Sequence, residues 1–446
     1  MAPDLTDPIG RVRMRYLTIH TSHRPATTFD FVQELKKKSM INRRIIRCVS
    51  CGSLAVTRTG IGHGTKQIHK FPCPGCGVEI GFVLNLDQEA IKFDYEDPTN
   101  ASWDDAAEES ETTPTVLFYP ELMIPKGLQY PISPFIATFG EFKDLPAYQQ
   151  EEALRRHIKV NRWPVLMRVY THFENGNLQL MEKEAATISK NSPGLSDLEE
   201  RAGWVLSASR HYFGFFVAEP NSDADIGKQA ATAAVKQEPA LRAFAGEFVN
   251  SGRMFALWKE LKSVRKQFME LYESFLPILS VRRYWKNPEP DLAAFELSVK
   301  NFEDLKGFYI DCLETSFRFL VIGLGMVKIT ETGTTTIATA KGDKDIWWFE
   351  QMNNGVKNTQ LDKYPIFGSV TKYLDTRLRN GVGHHSAHYI VGSDEIAYVK
   401  ADDAALNEVR LPFTIFVSKV FDTYCAFERA AMFFQFLLLA GGGRLS

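Results

Sequence analysis

No run of about 20 apolar residues, the length a membrane-spanning helix needs, occurs in the chain; the longest apolar stretches, Phe319–Val327 and Ala430–Ala440, are about half that. The first residues, MAPDLTDPIGRVRMRY, place no apolar segment behind their basic ones, so a secretory leader is not expected. Excess charge is missing too: the formal net charge is −2, which argues against a generally cationic nucleic-acid binder. Internal repeats and low-complexity tracts are absent. At 446 residues the chain is too long for one ordinary core, so two or three domains are expected. A soluble, cytoplasmic protein with no membrane association is the expectation from these absences.

Cysteine is scarce but placed with a pattern. Four of the six form two pairs, Cys48-Val-Ser-Cys51 and Cys73-Pro-Gly-Cys76, each followed by glycine; Cys312 and Cys425 stand alone in apolar helical patterns and read as buried small hydrophobes. Free thiols suit a reducing compartment better than a disulfide framework does. Strand-like segments such as SLAVTRT and GVEIGFVLNL lie around and between the pairs, and glycine after each lets the backbone turn tightly around a metal. Two CxxC pairs of this kind read as a zinc ribbon over 41–93 holding one structural Zn2+ on Cys48, Cys51, Cys73 and Cys76. Four thiolates would close its coordination shell, leaving no position for water.

The flanking segments differ in charge. Residues 1–92, including a basic segment 1–40, carry fourteen Lys and Arg against seven acids. Residues 94–111, DYEDPTNASWDDAAEESE, hold eight acids and no Lys or Arg, so 94–115 reads as a solvated linker. The same segment also has the charge of a strap that would compete with nucleic acid for a basic ribbon.

The remainder reads as mainly α. Residues 116–245 form a helical middle region, with amphipathic stretches at 146–176 and 196–217, a capping box at Ser196–Glu199, and a weaker Ala-rich helix at 221–245. From 246 to 446 four stripes recur at helical spacing. They begin at Leu257, Phe295, Ile366 and Phe413, and a TETGTTT excursion separates the second from the third. With no strand-rich partner in view, this predicts a helical bundle.

The third stripe ends in LRNGVGHHSAHY, which places Arg379 and Asn380 before two glycines and three of the chain's ten histidines. The glycines predict a helix C-terminus that would free His384 to fold back toward Arg379 and Asn380. A histidine near neutral pKa can move the 2′-hydroxyl proton of RNA or protonate the leaving 5′-oxygen, and an arginine can stabilise the charge of the pentavalent phosphorus without a metal. Asn380 would position, and His385 is a further candidate for the second proton-transfer group. Arg-x4-His also occurs at Arg15–His20 and Arg58–His63, so spacing alone does not single out the site; the preceding helix, the Asn and the glycines do.

Arg379, Asn380 and His384 at the end of a helix in a C-terminal bundle resemble the motif of the HEPN superfamily, over roughly 246–446. The resemblance implies a metal-independent endoribonuclease, commonly a homodimer whose two motifs meet at a shared site, and often a toxin or an antiphage abortive-infection effector restrained by an antitoxin or released by a phage-derived trigger. Two features depart from the pattern: the glycines inside the x3 segment and the TETGTTT insertion. Two other readings stay open. A metal hydrolase on His384, His385 and His388 lacks an HExxH and a nearby carboxylate. A non-catalytic regulator would bind nucleic acid or protein through the ribbon's Arg43, Arg44, Arg47, Arg58, Lys66 and Lys70, with His63 and His69 nearby, and would use the bundle only to dimerise.

Overall fold

The computed structural model describes residues 41–441, apart from 61–65, 88–91, 109, 111, 127–140, 189–200, a set of positions between 203 and 222, 287–289, 298–300, 340–341, 384–386, 391–392 and 400–406. The basic segment 1–40, His63, and the histidines 384 and 385 therefore lie outside the described residues. The chain is mainly helical with a β-rich N-terminal region, and no described helix is long and apolar enough to cross a membrane.

Two small sheets build the β region. Strands β1 (Ile41–Cys48) and β2 (Leu54–Gly60) form an antiparallel hairpin; β3 (Lys66–Pro72), β4 (Glu79–Asp87) and β5 (Lys92–Tyr95) form a meander. Alternate residues of β3 are buried, as expected of a strand with one face on a core. That core joins Ile46, Ala55, Phe71, Ile80, Phe82 and Phe118. His69 belongs to it as well: fully buried, with Phe82 and Phe118 ring centroids at 4.9 and 4.8 Å, it is not part of an exposed basic face.

The acidic segment is not a free linker. Its residues supply the end of β5 and all of β6 (Ala101–Trp103), which pairs with β1; β7 (Thr115–Phe118) then adds parallel to β2, giving a sheet in the order β6-β1-β2-β7. Two things tie the acids down. Trp103 and Tyr95 pack edge to face, and Asp104 and Asp105 find arginines on β1. A short pairing of β8 (Met123–Pro125) with β9 (Phe295–Leu297) links this part of the chain to the bundle.

Helix α1 (Leu145–His157) is capped by Asp144, whose carboxylate accepts from the Ala147 amide at 2.9 Å, and runs through a five-residue π segment into α2 (Trp163–Glu174). Helix α3 (Leu178–Ile188) follows, and α4 (Asp223–Asn250) bends at Gln237, just before Pro239. The bundle proper is α5 (Arg253–Tyr284), α6 (Phe302–Thr332) and the last helix, Phe413–Gly441. Aromatic pairs fix their directions. Phe268 stacks on Tyr424 and Phe275 lies against Phe421, so α5 and the last helix are antiparallel, whereas Phe302–Phe416, Phe308–Tyr424 and Phe319–Phe434 make α6 parallel to it.

Two expectations change between α6 and the last helix. The stripe starting at Ile366 is not one helix. After α7 (Ile346–Glu350) and α8 (Asn354–Leu361) come a 3-10 turn at Pro365–Phe367, a single turn α9 (Gly368–Thr371), and a fresh helix α10 (Thr376–Gly383) started by Asp375, which accepts from the Leu378 amide at 2.9 Å. A sheet not foreseen from periodicity follows: β10 (His388–Ile390), β11 (Glu395–Val399) and β12 (Glu408–Pro412), antiparallel, leading into the last helix, α11 (Phe413–Gly441). Each strand is only three to five residues long, too short for alternation to stand out.

Candidate functional site

Two places hold the candidate side chains. The first is the cysteine cluster. Cys48 ends β1 and Cys51 sits in the turn after it; Cys73 follows β3 and Cys76 sits in the matching turn. Gly52 and Gly77 adopt φ of 73° and 76°, and their amides donate to the Cys48 and Cys73 carbonyls at 2.9 and 2.8 Å, so the two turns are built alike. That left-handed conformation is why glycine stands at both.

All four sulfurs lie within 4.8 Å of one another, with Cys48–Cys76 at 3.8 Å and Cys51–Cys73 at 3.6 Å. Four sulfurs arranged tetrahedrally about a zinc, each at about 2.3 Å, stand about 3.8 Å apart, whereas a disulfide would bring a pair to about 2.05 Å. The cysteines are free thiols at metal-site separation. Their electrostatics agree. Ser53 lowers Cys51 to about 6 by hydrogen bonding, while Cys76, despite a favourable bond from the Val78 amide, is pushed up to about 12 by the Cys51 sulfur and by burial. Packed sulfurs resist becoming four thiolates together, and a central dication removes that conflict. This is the one group of His, Cys, Asp and Glu among the described residues arranged to hold a metal ion.

The basic face around this cluster is largely neutralised. Arg44 donates Nε to Asp105 Oδ2 at 2.9 Å and lies over both the Trp103 and Tyr95 rings, at 4.1 and 5.0 Å from their centroids. Arg47 pairs with Asp104 at 2.7 Å, Lys70 with Glu79 at 2.8 Å, and Lys66 reaches Glu96 at 4.0 Å. The backbone takes part: Asp105 accepts from the Ile45 amide at 3.1 Å, and the Asp104 amide donates to the Ile45 carbonyl at 2.9 Å.

The second place is the C-terminal end of α10. Arg379 and Asn380 both lie on this helix, Asn380 exposed and Arg379 about one-third exposed. The guanidinium donates Nη2 to Glu314 of α6 at 2.7 Å and Nη1 to Asn380 Oδ1 at 3.3 Å, while its Nε has no partner. Glu314 also accepts from Asn354 of α8 at 2.8 Å, which in turn accepts from Lys357 at 3.4 Å. Burial lowers the Lys357 pKa against the opposing pull of Glu314.

Periodicity could not reveal Glu314, Asn354 and Lys357, since they lie 65, 25 and 22 residues before Arg379 and meet it only through the fold. The glycine break also changes. Helix α10 continues through Gly381 to Gly383, and Gly381 is there because a Cβ would stand 2.3 Å from the Tyr398 ring of β11. Gly383, which precedes His384 in the chain, is beside the guanidinium: a Cβ there would lie 3.9 Å from Arg379 Nη1. His384 and His385 themselves fall outside the described residues; His388 is exposed at the start of β10.

No family model, curated protein or solved structure matches this chain.

Proposed function

We propose that the C-terminal bundle is a metal-independent endoribonuclease of HEPN type, and that the β region is a zinc ribbon whose metal is structural. What supports the first reading is the state of Arg379: about one-third exposed, held by Glu314 through a single 2.7 Å bond from Nη2 while Nη1 makes only a 3.3 Å contact to the exposed Asn380. Such a guanidinium can exchange or share its carboxylate for a phosphate, to which arginine binds in a bidentate manner. Arg379 would clamp the scissile phosphate and stabilise the charge that grows on its oxygens, with Asn380 positioning it.

In this reaction a base takes the proton of the RNA 2′-hydroxyl, whose oxygen attacks the adjacent phosphorus. An acid then protonates the departing 5′-oxygen. The products are a 2′,3′-cyclic phosphate and a 5′-hydroxyl. His384 would serve as general acid or base, with His385, or His384 of a second copy in a homodimer, as the partner group. A toxin or antiphage-defence effector, restrained by an antitoxin or awaiting a phage-derived trigger, is the setting the resemblance implies.

The test uses purified wild type and His384→Ala, each incubated with end-labelled tRNA and mRNA fragments in EDTA. Circular dichroism and sizing run in parallel. Cleavage by wild type alone, leaving cyclic phosphate ends and sparing 2′-deoxy substrates, is expected; efficient cutting of DNA would sink the mechanism. For the ribbon, one zinc per chain is expected by metal analysis. Cys73→Ser should lose it and the β-region structure while the bundle's helical signal persists.

A further inference from the structure

Resting on the reading of Arg379 as a phosphate clamp, we propose that a neighbouring cleft holds the backbone of the same RNA strand beside the nucleotide that is cut. This solvent-open cleft, about 670 Å³ in volume, lies between α6, α8, α9, α10 and α11. Its wall includes Lys372, Arg377 and Lys419, the amide of Asn358, and the rings of Tyr309 and Tyr373.

Three helices join this cleft to the Arg379 pair. On α6, the Tyr309 hydroxyl donates to the Asp375 carbonyl at 2.9 Å, and Glu314, five residues on, holds Arg379. On α8, Asn358 lines the cleft, and Asn354, one turn earlier, donates to Glu314. On α10, Asp375 and Thr376 line the cleft, and Arg379 and Asn380 follow one turn later. The cleft and the guanidinium are thus adjacent levels of one wall, about 6 Å apart along α8 and α10 and about 7.5 Å along α6.

Charge in the cleft favours an anion because two of its three acids, Asp375 and Asp422, have donors already and two of its cations have no carboxylate partner. Asp422 is gripped by Arg282 through two bonds of 2.6 and 2.9 Å, and Asp375 both caps α10 and takes a 3.4 Å contact from Lys419. Asp362 accepts only a 3.5 Å contact from Asn358. Among the described residues, exposed Arg377 has no hydrogen bond or ion pair, and exposed Lys372 only rests over the Tyr373 ring at 4.6 Å. An RNA strand supplies phosphates for Lys372 and Arg377, and a 2′-hydroxyl oxygen as acceptor for the Asn358 amide nitrogen, whose 3.5 Å contact to Asp362 leaves donor capacity; DNA supplies only the first.

The experiment compares full-length His384→Ala protein with the same protein carrying Lys372→Ala and Arg377→Ala. Each is titrated against a fluorescent 12-nucleotide RNA and its 2′-deoxy counterpart by anisotropy, at several salt concentrations. The double variant should bind RNA about tenfold more weakly, two charge-assisted contacts being lost. Its log K against log salt slope should fall by about 1.4, two phosphates at about 0.7 each. Adding Asn358→Ala instead should narrow the preference for RNA over DNA. Unchanged affinity and slope in the double variant would overturn the proposal, as would equal binding of DNA and RNA by the parent protein. The two readings fail separately: cleavage by wild type with a KM indifferent to Lys372 and Arg377 removes the cleft and keeps the reaction, while cleft-dependent RNA binding without cleavage by wild type removes the reaction and keeps the cleft.

Discussion

The bundle contains two arginine–glutamate pairs with opposite surroundings. Arg265 of α5 and Glu428 of α11 are 3% and 7% exposed and meet through two parallel bonds of 2.9 and 2.7 Å. The remaining Arg265 Nη1 donates to the Tyr170 hydroxyl and to Ser209, and Tyr424 donates to Glu428 at 3.0 Å. Burial by itself would lower the Arg265 pKa, but the Glu428 carboxylate more than reverses this and leaves it raised. Arg379 and Glu314, by contrast, are 34% and 37% exposed, touch through one 2.7 Å bond, and leave a nitrogen unused. The sealed pair is a joint between α2, α5 and α11, with no capacity for another ligand. The open pair keeps its helices in register loosely and can trade partners. Identical residue types thus sit fully satisfied in one place and partly open in the other.

Breaking the sealed pair should have the largest effect. Glu428→Ala leaves an uncompensated buried cation and is expected to cost about 3–5 kcal/mol in chemical denaturation followed by helical circular dichroism. Arg265→Met with Glu428→Leu should restore much of that loss, since the pair's attraction mainly offsets its own desolvation. Arg379→Ala should reverse the balance, costing at most about 1 kcal/mol in the same assay because its pair is solvent-screened. RNA cleavage, however, should fall by roughly 100- to 1,000-fold, the usual loss for a transition-state donor. A large stability loss there would erase the distinction between the pairs.

Glu314→Gln sharpens it further. Without the competing carboxylate, RNA binding measured by anisotropy should tighten by about threefold, within the roughly 1 kcal/mol such exposed pairs are worth. Weaker binding would show that Glu314 orients Arg379 for phosphate instead of competing with it.

The smallest effect concerns the β region. Arg44, through hydrogen bonding, lowers the Asp105 pKa. A depressed carboxylate contributes stability above its unfolded pKa of about 3.9 and loses it as pH falls through the folded value. The Arg44–Asp105 tie should therefore persist at neutral pH and loosen only in strong acid. Asp105→Asn should cost about 0.5 kcal/mol or less at pH 7. The indole N–H NMR signal of Trp103, beside Arg44, would follow both. A loss beginning near pH 6 would contradict this assignment.

Much of the architecture was legible because it rests on local patterns. CxxC spacing followed by glycine picked out the four cysteines, since each pair closes within one turn; the shortest sulfur contacts, Cys48–Cys76 and Cys51–Cys73, run between the pairs. Apolar recurrence at threes and fours identified α5, α6 and α11. The failures share a cause. Asp104 and Asp105 read as linker acids because their arginines lie 57 and 61 residues earlier. Gly381 read as a helix breaker because the Tyr398 ring that demands a glycine lies on a sheet too short to show alternation. The stripe from Ile366 read as one helix because periodicity is blind to the Asp375 cap that restarts the chain.

By itself, then, the sequence determined the thiolate set, the mainly helical class, and the short Arg-Asn motif with its histidines. Each CxxC pair and each helical stripe depends on residues within a turn or two of one another, where backbone geometry dictates which side chains share a face; that the two pairs, 22 to 28 residues apart, converge is the work of the fold. Only the tertiary structure decided which charges are neutralised. It gave Arg44 and Arg47 of β1 to the acidic segment, sealed Arg265 against Glu428, paired Arg379 with Glu314 at a partly open position, and left Arg377 and Lys372 open to the surface. Pairing of charges is settled by distance and burial across the fold, and neither quantity is written in the spacing of residues along the chain.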